Sequence, residues 1–322
     1  MTTSTSVAQI KDDNVANIGD YKSNSLWRLT LRRMFRQRSA VVGLIILLLL
    51  VFTAVFAPLI APYDPTEVLI GKEDVKRRDK PCIHLLGCPE DQPQHLLGID
   101  GNVRDQFSRI VYGARVSLRI GFFTVAVALI VGTSLGALAG YWGGWFDNVV
   151  MRLMDVVLAF PFFLLAIAIV FVLGPSLQNA MLAIAIVSIP AYARVTRATV
   201  LSVRETDYVE ASRALGASNF DILARRILPN ALPPLIVLAT LGVATAILDT
   251  AALSFLGLGA QPPTPEWGTM LGTERNQIFS APHLVFAPGI AISITVLAFN
   301  LLGDGLRDAL DPRLVHGGKS KE

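Results

Sequence analysis

The chain has 322 residues, of which 52% are apolar and only 16% are charged, and its formal net charge is +3. About a quarter of the residues in an average soluble domain are charged. The composition therefore excludes a disordered chain, a coiled coil and most water-soluble enzymes, and the clustering of the apolar residues decides the class.

Six apolar blocks follow one another along the chain. Most are close to the ~20 residues that a helix needs to cross about 30 Å of hydrocarbon, and a helix satisfies its own backbone hydrogen bonds in lipid. The fourth reaches that length only if it continues over 178–197. We predict an all-α membrane protein with six transmembrane helices, because six such blocks argue against a buried soluble core. The blocks cover residues 40–61, 120–141, 153–173, 180–193, 232–258 and 284–302.

The N-terminal tail, residues 1–39, leads into the first apolar block. Its basic amphipathic stretch, 26–35, mixes arginines with aromatic side chains, a pattern that favours the headgroup layer of an anionic membrane. The block at 40–61 starts too late and is too long for a cleaved signal peptide, and Pro58 and Pro62 replace the small residues of a cleavage site. We interpret it as a retained anchor.

The next segment, 62–116, is predicted to be an outer loop and contains both cysteines. An external compartment permits a disulfide between Cys82 and Cys88, and two unpaired thiols are the alternative. A metal site that uses His84 and His95 is a weaker option, because the spacing matches no standard zinc pattern.

The distribution of Lys and Arg indicates the orientation. If the N-terminus lies in the cytoplasm, an even number of spans returns the C-terminus there, and the inside segments carry 18 of the 28 basic residues. The loop 62–116 carries eight basic residues, which nine acidic residues offset. This bias agrees with the positive-inside rule, so the net charge reflects topology and requires no nucleic-acid partner.

Several residues inside the predicted spans invite interpretation. Asp155 and Asp249 are costly in lipid, so each faces a cavity or a partner by default. They are candidates for a substrate pathway, and the alternative is a structural acid bonded to a neighbouring helix or to a partner subunit. Small residues at every fourth position of the second span predict close helix packing: Gly132, Gly136 and Gly140. Three prolines predict kinks: Pro161, Pro190 and Pro288.

The segment 199–230 is the longest predicted inside connection between spans. Asp207 is a good N-cap for a first short helix, with Glu210 at its third position, and Gly216 is a natural stop. The sequence therefore predicts a helix that ends at a glycine turn.

A second short helix is predicted directly after this turn. Ser218 caps it, Asp221 follows three residues on, and Pro229 is predicted to separate it from the fifth span. The two helices are expected to expose four partly apolar side chains: Tyr208, Val209, Leu215 and Phe220. Such a surface suits docking into a groove of another protein, and a solvated helical loop is the alternative that the residues leave open.

The motif Glu210-Ala211-Ser212, followed by Gly216 and Leu228-Pro229, resembles the EAA loop of bacterial ABC importer permeases. The family pattern is Glu-Ala-Ala, three residues, Gly, nine residues, Ile, one residue, Leu-Pro. The spacing matches, while Ser212 replaces the second Ala and Arg226 replaces the Ile. The resemblance implies coupling to an ATPase through ten residues: Asp207, Tyr208, Glu210, Ala211, Ser212, Leu215, Gly216, Phe220, Leu228 and Pro229.

Three further blocks, at 96–118, 253–268 and 300–313, are similar to the dipeptide/oligopeptide (nickel) subfamily and follow its order. The anchor followed by Ala-Pro-Tyr-Asp-Pro at 61–65 resembles its C-type subunit. The stretch 71–94 looks like an insertion that the family does not explain.

The resemblance implies a type I ABC importer permease that crosses the bacterial cytoplasmic membrane several times. The expected parts are a five-helix core (117–304), a coupling loop (199–230) and cytoplasmic tails (1–39 and 305–322). The expected partners are a second homologous permease subunit, two cytoplasmic ATP-binding subunits and an external peptide-binding protein. The chain has no Gly-x-x-x-x-Gly-Lys-Ser/Thr motif, so we expect it to hydrolyse nothing itself. No cofactor is expected on this chain, and ATP-Mg is expected on the partner subunits.

Other functions receive less support from the sequence. An intramembrane enzyme needs an activated nucleophile or a metal, yet all four histidines and both cysteines lie outside the predicted spans. A secondary carrier works without an ATPase, so the coupling loop 199–230 would have no partner to bind. The sequence also shows no inverted repeat of the kind found in many such carriers. A non-transporting scaffold is the third rival. Within the transporter interpretation, short peptides are favoured over longer peptides, glutathione-like molecules and nickel chelates.

Overall fold

The fold is all-helical across residues 34–310, the part of the chain that the computed structural model describes. Isolated bridges replace β-strands in this part. The helices are α1 (Arg38–Val55), α2 (Ala57–Ile60), α3 (Gln106–Trp142), α4 (Gly144–Ala159), α5 (Phe162–Leu173), α6 (Leu177–Arg204), α7 (Asp207–Ala214), α8 (Asn219–Asp221), α9 (Leu228–Phe255), α10 (Trp267–Glu274) and α11 (Pro282–Leu310). Most of the basic stretch at 26–35 and the end of the C-terminal block, 311–313, lie outside the described residues.

Five long helices are apolar enough to cross a membrane: α1, α3, α6, α11 and the continuous helix that ends with α9. A sixth crossing results if α4 and α5 count as one span. The predicted all-α class is therefore confirmed, and the count of five or six candidate spans is compatible with the six predicted. We call the end of the bundle that carries residues 205–227 the coupling end, and the opposite end, which carries residues 61–105, the loop end.

The predicted third span is not a single kinked helix. α4 and α5 meet at 95°, because Phe160 and Pro161 both adopt extended ψ angles. Proline disfavours the α conformation in the residue before it, which explains the break. Pro190 and Pro288 lie inside continuous helices instead.

The break leaves α5 with 12 residues, about 18 Å of helix, which is short for a full crossing. Its buried Ala166 and Val170 pack against Ala183 and Val187 in the first half of α6. Two ion pairs join α4 to the second half of α6: Asp155 with Arg194, and Asp147 with Arg197. This region is therefore an angled element held on α6.

Glycines set the distance between α3 and α6. A Cβ atom at Gly136 would collide with the backbone of Ala193, and one at Gly132 would lie 2.8 Å from the Ile189 carbonyl oxygen. At Gly140, the Arg197 carbonyl oxygen would be 3.1 Å away. We call Gly132, Gly136 and Gly140 the glycine stripe.

The main apolar core lies where α1, α3, α6, α9 and α11 meet. Val125, Tyr192, Ile247 and Phe299 are buried in this one cluster. The many apolar side chains that stay exposed on the outer faces of these helices are suited to lipid rather than to water.

α3 begins at Gln106, well before the predicted start of the second span, because Asp105 caps it. The Asp105 carboxylate accepts a hydrogen bond from the Ser108 backbone N–H at 2.7 Å. A helix start stabilised in this way lies outside what hydropathy can detect. The 37 residues of α3 extend over about 55 Å, well beyond the ~30 Å of a hydrocarbon core.

Residues 61–105 form a small folded cap over the start of α3. Leu69, Ile99 and Val103 make its apolar core. Cys82 and Cys88 are joined by a disulfide, with Cα atoms 5.4 Å apart. Within the described residues no group of His, Cys, Asp and Glu is suited to a metal ion, so the weaker option for His84 finds no support.

His95 is buried in this cap between two carboxylates. Its Nδ1 lies 2.9 Å from Asp105 Oδ1, and its Nε2 lies 3.0 Å from Glu73 Oε2. Both ring nitrogens donate only in the imidazolium form. Burial by itself lowers the pKa of His95, but the hydrogen bonds and charges of Asp105 and Glu73 outweigh it and raise the pKa above 6.5. Tyr63, whose hydroxyl donates to Glu73 at 2.9 Å, has a pKa raised to about 12 by burial and by Glu73.

We expect Gly136→Ala to loosen the contact between α3 and α6. Overpacking of this kind costs about 1–3 kcal/mol, because the opposing atoms belong to the backbone of Ala193. The matched control is Gly289→Ala in α11, where the new methyl would meet only Leu271 at 3.9 Å. Thermal unfolding of the purified chain in detergent measures the difference, and equal melting temperatures for the two variants would contradict the packing role.

We also expect the cap to lose stability as the pH rises. A raised folded-state pKa gives stability that is complete below the unfolded value of about 6.5 and is lost as the pH rises through the folded value. The protection factors of the amide hydrogens across residues 61–105, which are corrected for the intrinsic rise of exchange with pH, should therefore fall over that window. In His95→Gln this pH dependence should disappear, whereas His84→Gln should keep it, because the His84 ring forms its hydrogen bond with the Gln92 carbonyl oxygen (2.8 Å) and not with a carboxylate. A pH profile that survives in His95→Gln would contradict the assignment.

Candidate functional site

The coupling end carries a helical pair, which we define as residues 207–227. Its first helix, α7, starts directly after α6 ends at Arg204. The N-cap is Thr206 rather than the predicted Asp207, and Glu210 takes the fourth helical position rather than the third. Thr206 adopts the extended cap conformation, while its hydroxyl donates to the Val203 carbonyl oxygen at 2.6 Å. Asp207 still lies in the first turn, where the helix dipole favours an acid.

The turn between the two helices is built on Gly216. Its φ of +84° is favourable only for glycine. The Gly216 N–H donates to the Arg213 carbonyl oxygen (3.0 Å), and the Ala217 N–H donates to the Ser212 carbonyl oxygen (3.1 Å). This pair of bonds is a Schellman motif, so the predicted stop at Gly216 is confirmed together with its mechanism.

The second helix starts as predicted but does not end as predicted. The Ser218 hydroxyl accepts from the Asp221 backbone N–H at 3.2 Å, which is the expected cap. Pro229, however, does not separate this helix from the fifth span, because one continuous helix runs from Asn219 to Phe255. A π-helical stretch over Ile222–Ile227 precedes the proline, and such wider turns accommodate a missing N–H.

Side-chain hydrogen bonds link α7 to the helix close to this proline. The Arg226 carbonyl oxygen accepts from the Asn230 side-chain amide at 2.7 Å and from the Tyr208 hydroxyl at 3.3 Å. Asn230 also donates to the Tyr208 hydroxyl at 3.1 Å. These bonds tie α7 to the start of α9, so the two helices of the pair are linked away from their turn as well as at it.

The root of the pair is apolar and fully buried. Val209, which the sequence analysis expected on the surface, has no exposed area and packs with Val200, Ile222 and Ile227. The expectation was wrong because a helix lying on a bundle must bury one face, and periodicity over eight residues does not identify which one. Tyr141, at the end of α3, completes this cluster.

Polar bonds hold the same root in place. The Tyr141 hydroxyl donates to Asn219 Oδ1 at 2.8 Å. The Arg204 guanidinium donates to the carbonyl oxygens of Gly140 and Tyr141, both at 3.1 Å. The pair is therefore fixed to α3, α6 and α9 together.

The tip of the pair is apolar and open. Leu215 is 88% exposed and Phe220 is 80% exposed, on either side of Gly216. Of the other residues that the sequence assigned to coupling, Asp207, Tyr208, Glu210, Ala211 and Pro229 are exposed, while Ser212 and Leu228 are half-buried. Exposed apolar anchors on a rigid support are typical of a surface that another protein covers.

The two candidate pathway acids lie in different surroundings. Asp155 in α4 forms an ion pair with Arg194 of α6 at 2.7 Å, and both side chains are about half exposed. Arg194 was not singled out in the sequence, although an arginine in an apolar span is itself a signal of pairing. Asp249 in α9 is half-buried, and within residues 34–310 no side chain forms an ion pair with it.

Two family models match the chain. Residues 132–316 match the binding-protein-dependent transport system inner membrane component. Residues 25–81 match the N-terminal transmembrane domain of oligopeptide transport permease C. The first match includes the glycine stripe and the helical pair, and together the two leave out residues 1–24, 82–131 and 317–322.

Curated proteins of similar length are close in sequence. The dipeptide transport system permease protein DppC of Alkalihalophilus pseudofirmus is 49% identical over 91% of this chain and 92% of its own. The di/tripeptide transport system permease protein DppC of Pseudomonas aeruginosa is 51% identical over 86% and 89%. The glutathione transport system permease protein GsiD of Pectobacterium atrosepticum is 44% identical over 92% and 94%.

A solved structure shares the fold. The MetNI methionine ABC transporter in an inward-facing conformation matches with a TM-score of 0.51 over 64% of this chain and 97% of the matched chain. At 23% identity, this likeness concerns the arrangement of helices only.

Proposed function

We infer the function from the family, because this chain belongs to the binding-protein-dependent transport system inner membrane components, the permease subunits of ABC importers. The family is a non-catalytic, multi-pass component of the inner membrane, and it works with ATPase and substrate-binding partners. The predicted fold, location and role are thus confirmed at this level. We propose in addition that this chain is the C-type subunit of a peptide importer and pairs with one homologous permease and two ATP-binding subunits.

The observation that carries the coupling role is the contrast between the tip and the root of the helical pair. Leu215 and Phe220 are open to a partner, whereas Val209 is buried against the bundle. A partner that binds the tip and moves would therefore displace the whole helical pair, including its buried root, as a rigid body. Since the second helix continues into α9 without a break, closure of the ATP-binding subunits would be transmitted directly to a membrane-spanning helix.

The same surface supports the proposed orientation. The coupling end carries the exposed or half-buried arginines 152, 194, 197, 204, 213, 225, 226 and 307. A cytoplasmic location of this end agrees with the positive-inside rule and places the tip where ATP-binding subunits operate.

Short peptides are the substrates we propose. Relatives that are about half identical over most of their length are named dipeptide and di/tripeptide permeases. A glutathione-type peptide is the second candidate, because a relative with 44% identity carries that name. Both substrate types have an amino group that a carboxylate would bind, and we propose Asp249 for this contact. Asp155, with Arg194, is proposed as a charged pair at the coupling end of the pathway.

We expect the double variant Leu215→Ala and Phe220→Ala to lose ATP-binding subunits during purification and to take up peptide at least about tenfold more slowly. Truncating two apolar anchors at an interface costs more than the 1.4 kcal/mol that corresponds to a tenfold change. The matched control is Phe171→Ala with Val172→Ala, two side chains that are 81% and 83% exposed near the end of α5. Normal subunit retention and uptake in the Leu215/Phe220 variant would overturn the coupling role.

We expect Asp249→Asn to raise the KM for peptides with a free amino terminus by about tenfold, since a charge-assisted hydrogen bond contributes about 1.5–3 kcal/mol. Uptake of N-acetylated peptides should not change. Competition for uptake in membrane vesicles measures both. An equal effect on the two peptide types would show that Asp249 has a structural role instead.

A further inference from the structure

The insertion at 71–94 presents a compact group of cations at the loop end. Lys76, Arg77 and Lys80 are exposed, and none of them forms an ion pair within the part of the chain that the structure describes. Asp79 is the one acid within residues 76–80. Its carboxylate accepts a hydrogen bond from the Lys76 backbone N–H at 2.6 Å, within the same turn. We call Lys76, Arg77 and Lys80 the cationic ridge.

The backbone of the ridge is fixed. The Arg78 N–H donates to the Asp100 carbonyl oxygen (3.3 Å), and the Asp79 carbonyl oxygen accepts from the Ile99 N–H (3.1 Å). On the C-terminal side, Cys82 exchanges two backbone hydrogen bonds with His95, at 2.9 and 3.0 Å. The three cationic side chains therefore extend from a backbone whose position is fixed by hydrogen bonds.

The ridge also lies next to the helix that joins the last two spans. Arg78 Nε donates to Glu274 Oε2 at 2.8 Å, and Glu274 is the last residue of α10. The other oxygen of Glu274 accepts from the Gly101 N–H at 3.0 Å. Arg78 is thus neutralised and anchors the insertion, whereas its three neighbours keep their charges for an external ligand.

We propose that the cationic ridge docks an acidic face of the external substrate-binding protein. This inference rests on the proposed function, and it adds the place and the chemistry of that contact. A protein is favoured over lipid headgroups because α3 is far longer than the hydrocarbon core is thick. The cap lies at the start of α3, so the excess length of this helix holds the ridge away from the hydrocarbon core. Leu85 is 96% exposed and lies in the disulfide loop, which starts two residues after Lys80. It offers the binding protein an apolar contact beside the cationic ridge.

Charges at the edge of an interface act mainly on the rate of association. The test is the triple variant Lys76→Gln, Arg77→Gln and Lys80→Gln, assembled with its partner subunits in lipid nanodiscs. The probe is the purified peptide-loaded binding protein of the same transport system. We expect association to slow about tenfold at low ionic strength and the dependence of the rate on salt to flatten. Lys76→Arg with Lys80→Arg keeps the charge and should bind like the wild type.

The matched control removes charges of opposite sign from the same insertion. Glu90→Gln with Asp91→Asn changes two exposed acids and should not slow association. Wild-type association rates and salt dependence in the triple variant would overturn the proposal. A loss seen only in nanodiscs that contain anionic lipid would overturn it in favour of headgroup binding.

Failure of the proposed function gives a different result. In that case the wild-type chain itself would neither retain ATP-binding subunits nor take up peptide, and these two measurements come first in the same preparation. If the wild type passes both and the triple variant still associates normally, only the assignment of the ridge fails.

Discussion

The contact between α3 and α6 sets the position of most of the other elements. These helices approach closely only because the glycine stripe leaves no side chain between their backbones. Their close approach at the coupling end brings Tyr141 beside Val200, and these two side chains form the wall against which Val209 packs. At the loop end, the first turn of α3 is capped by Asp105, which also holds His95. The helix α3 therefore contacts the helical pair at one end and the folded cap at the other.

The two ends of the molecule are also joined along one helix. The helix that begins at Asn219 in the helical pair reaches Phe255, and α10 follows within the same connection. α10 in turn ends at Glu274, to which Arg78 of the insertion is bonded. A displacement of the tip would thus be transmitted along this continuous helix, then through α10 and the buried Glu274 carboxylate to the insertion at the loop end. Such a path suits a permease that must open alternately on two sides, because rigid elements transmit movement with little loss.

Hydropathy predicted the helical class and the existence of each apolar segment, because spanning a bilayer imposes a simple length requirement. It did not predict the break at Phe160-Pro161 or the continuity at Pro229, although both positions carry the same residue type. The difference lies in the backbone at each proline: Leu228, directly before Pro229, keeps helical φ and ψ angles after a π-helical stretch, whereas Phe160 and Pro161 adopt extended ψ angles. The burial of Val209 was missed for a related reason, since it depends on side chains of α6 and of the second helix that are distant in sequence.

The charge that the loop 62–116 presents on its surface cannot be predicted by counting its charged residues. By formal count its eight basic and nine acidic residues nearly cancel. Some of the acids, however, are paired inside the cap: Asp105 and Glu73 face His95, and Asp100 is buried against Arg104. Asp79 is held in its own turn. Folding therefore turns part of the negative charge inward and leaves the cations of the ridge exposed, so a segment that is nearly neutral by formal count presents a locally positive surface at the ridge. An external partner responds to that surface potential and not to the composition of the loop.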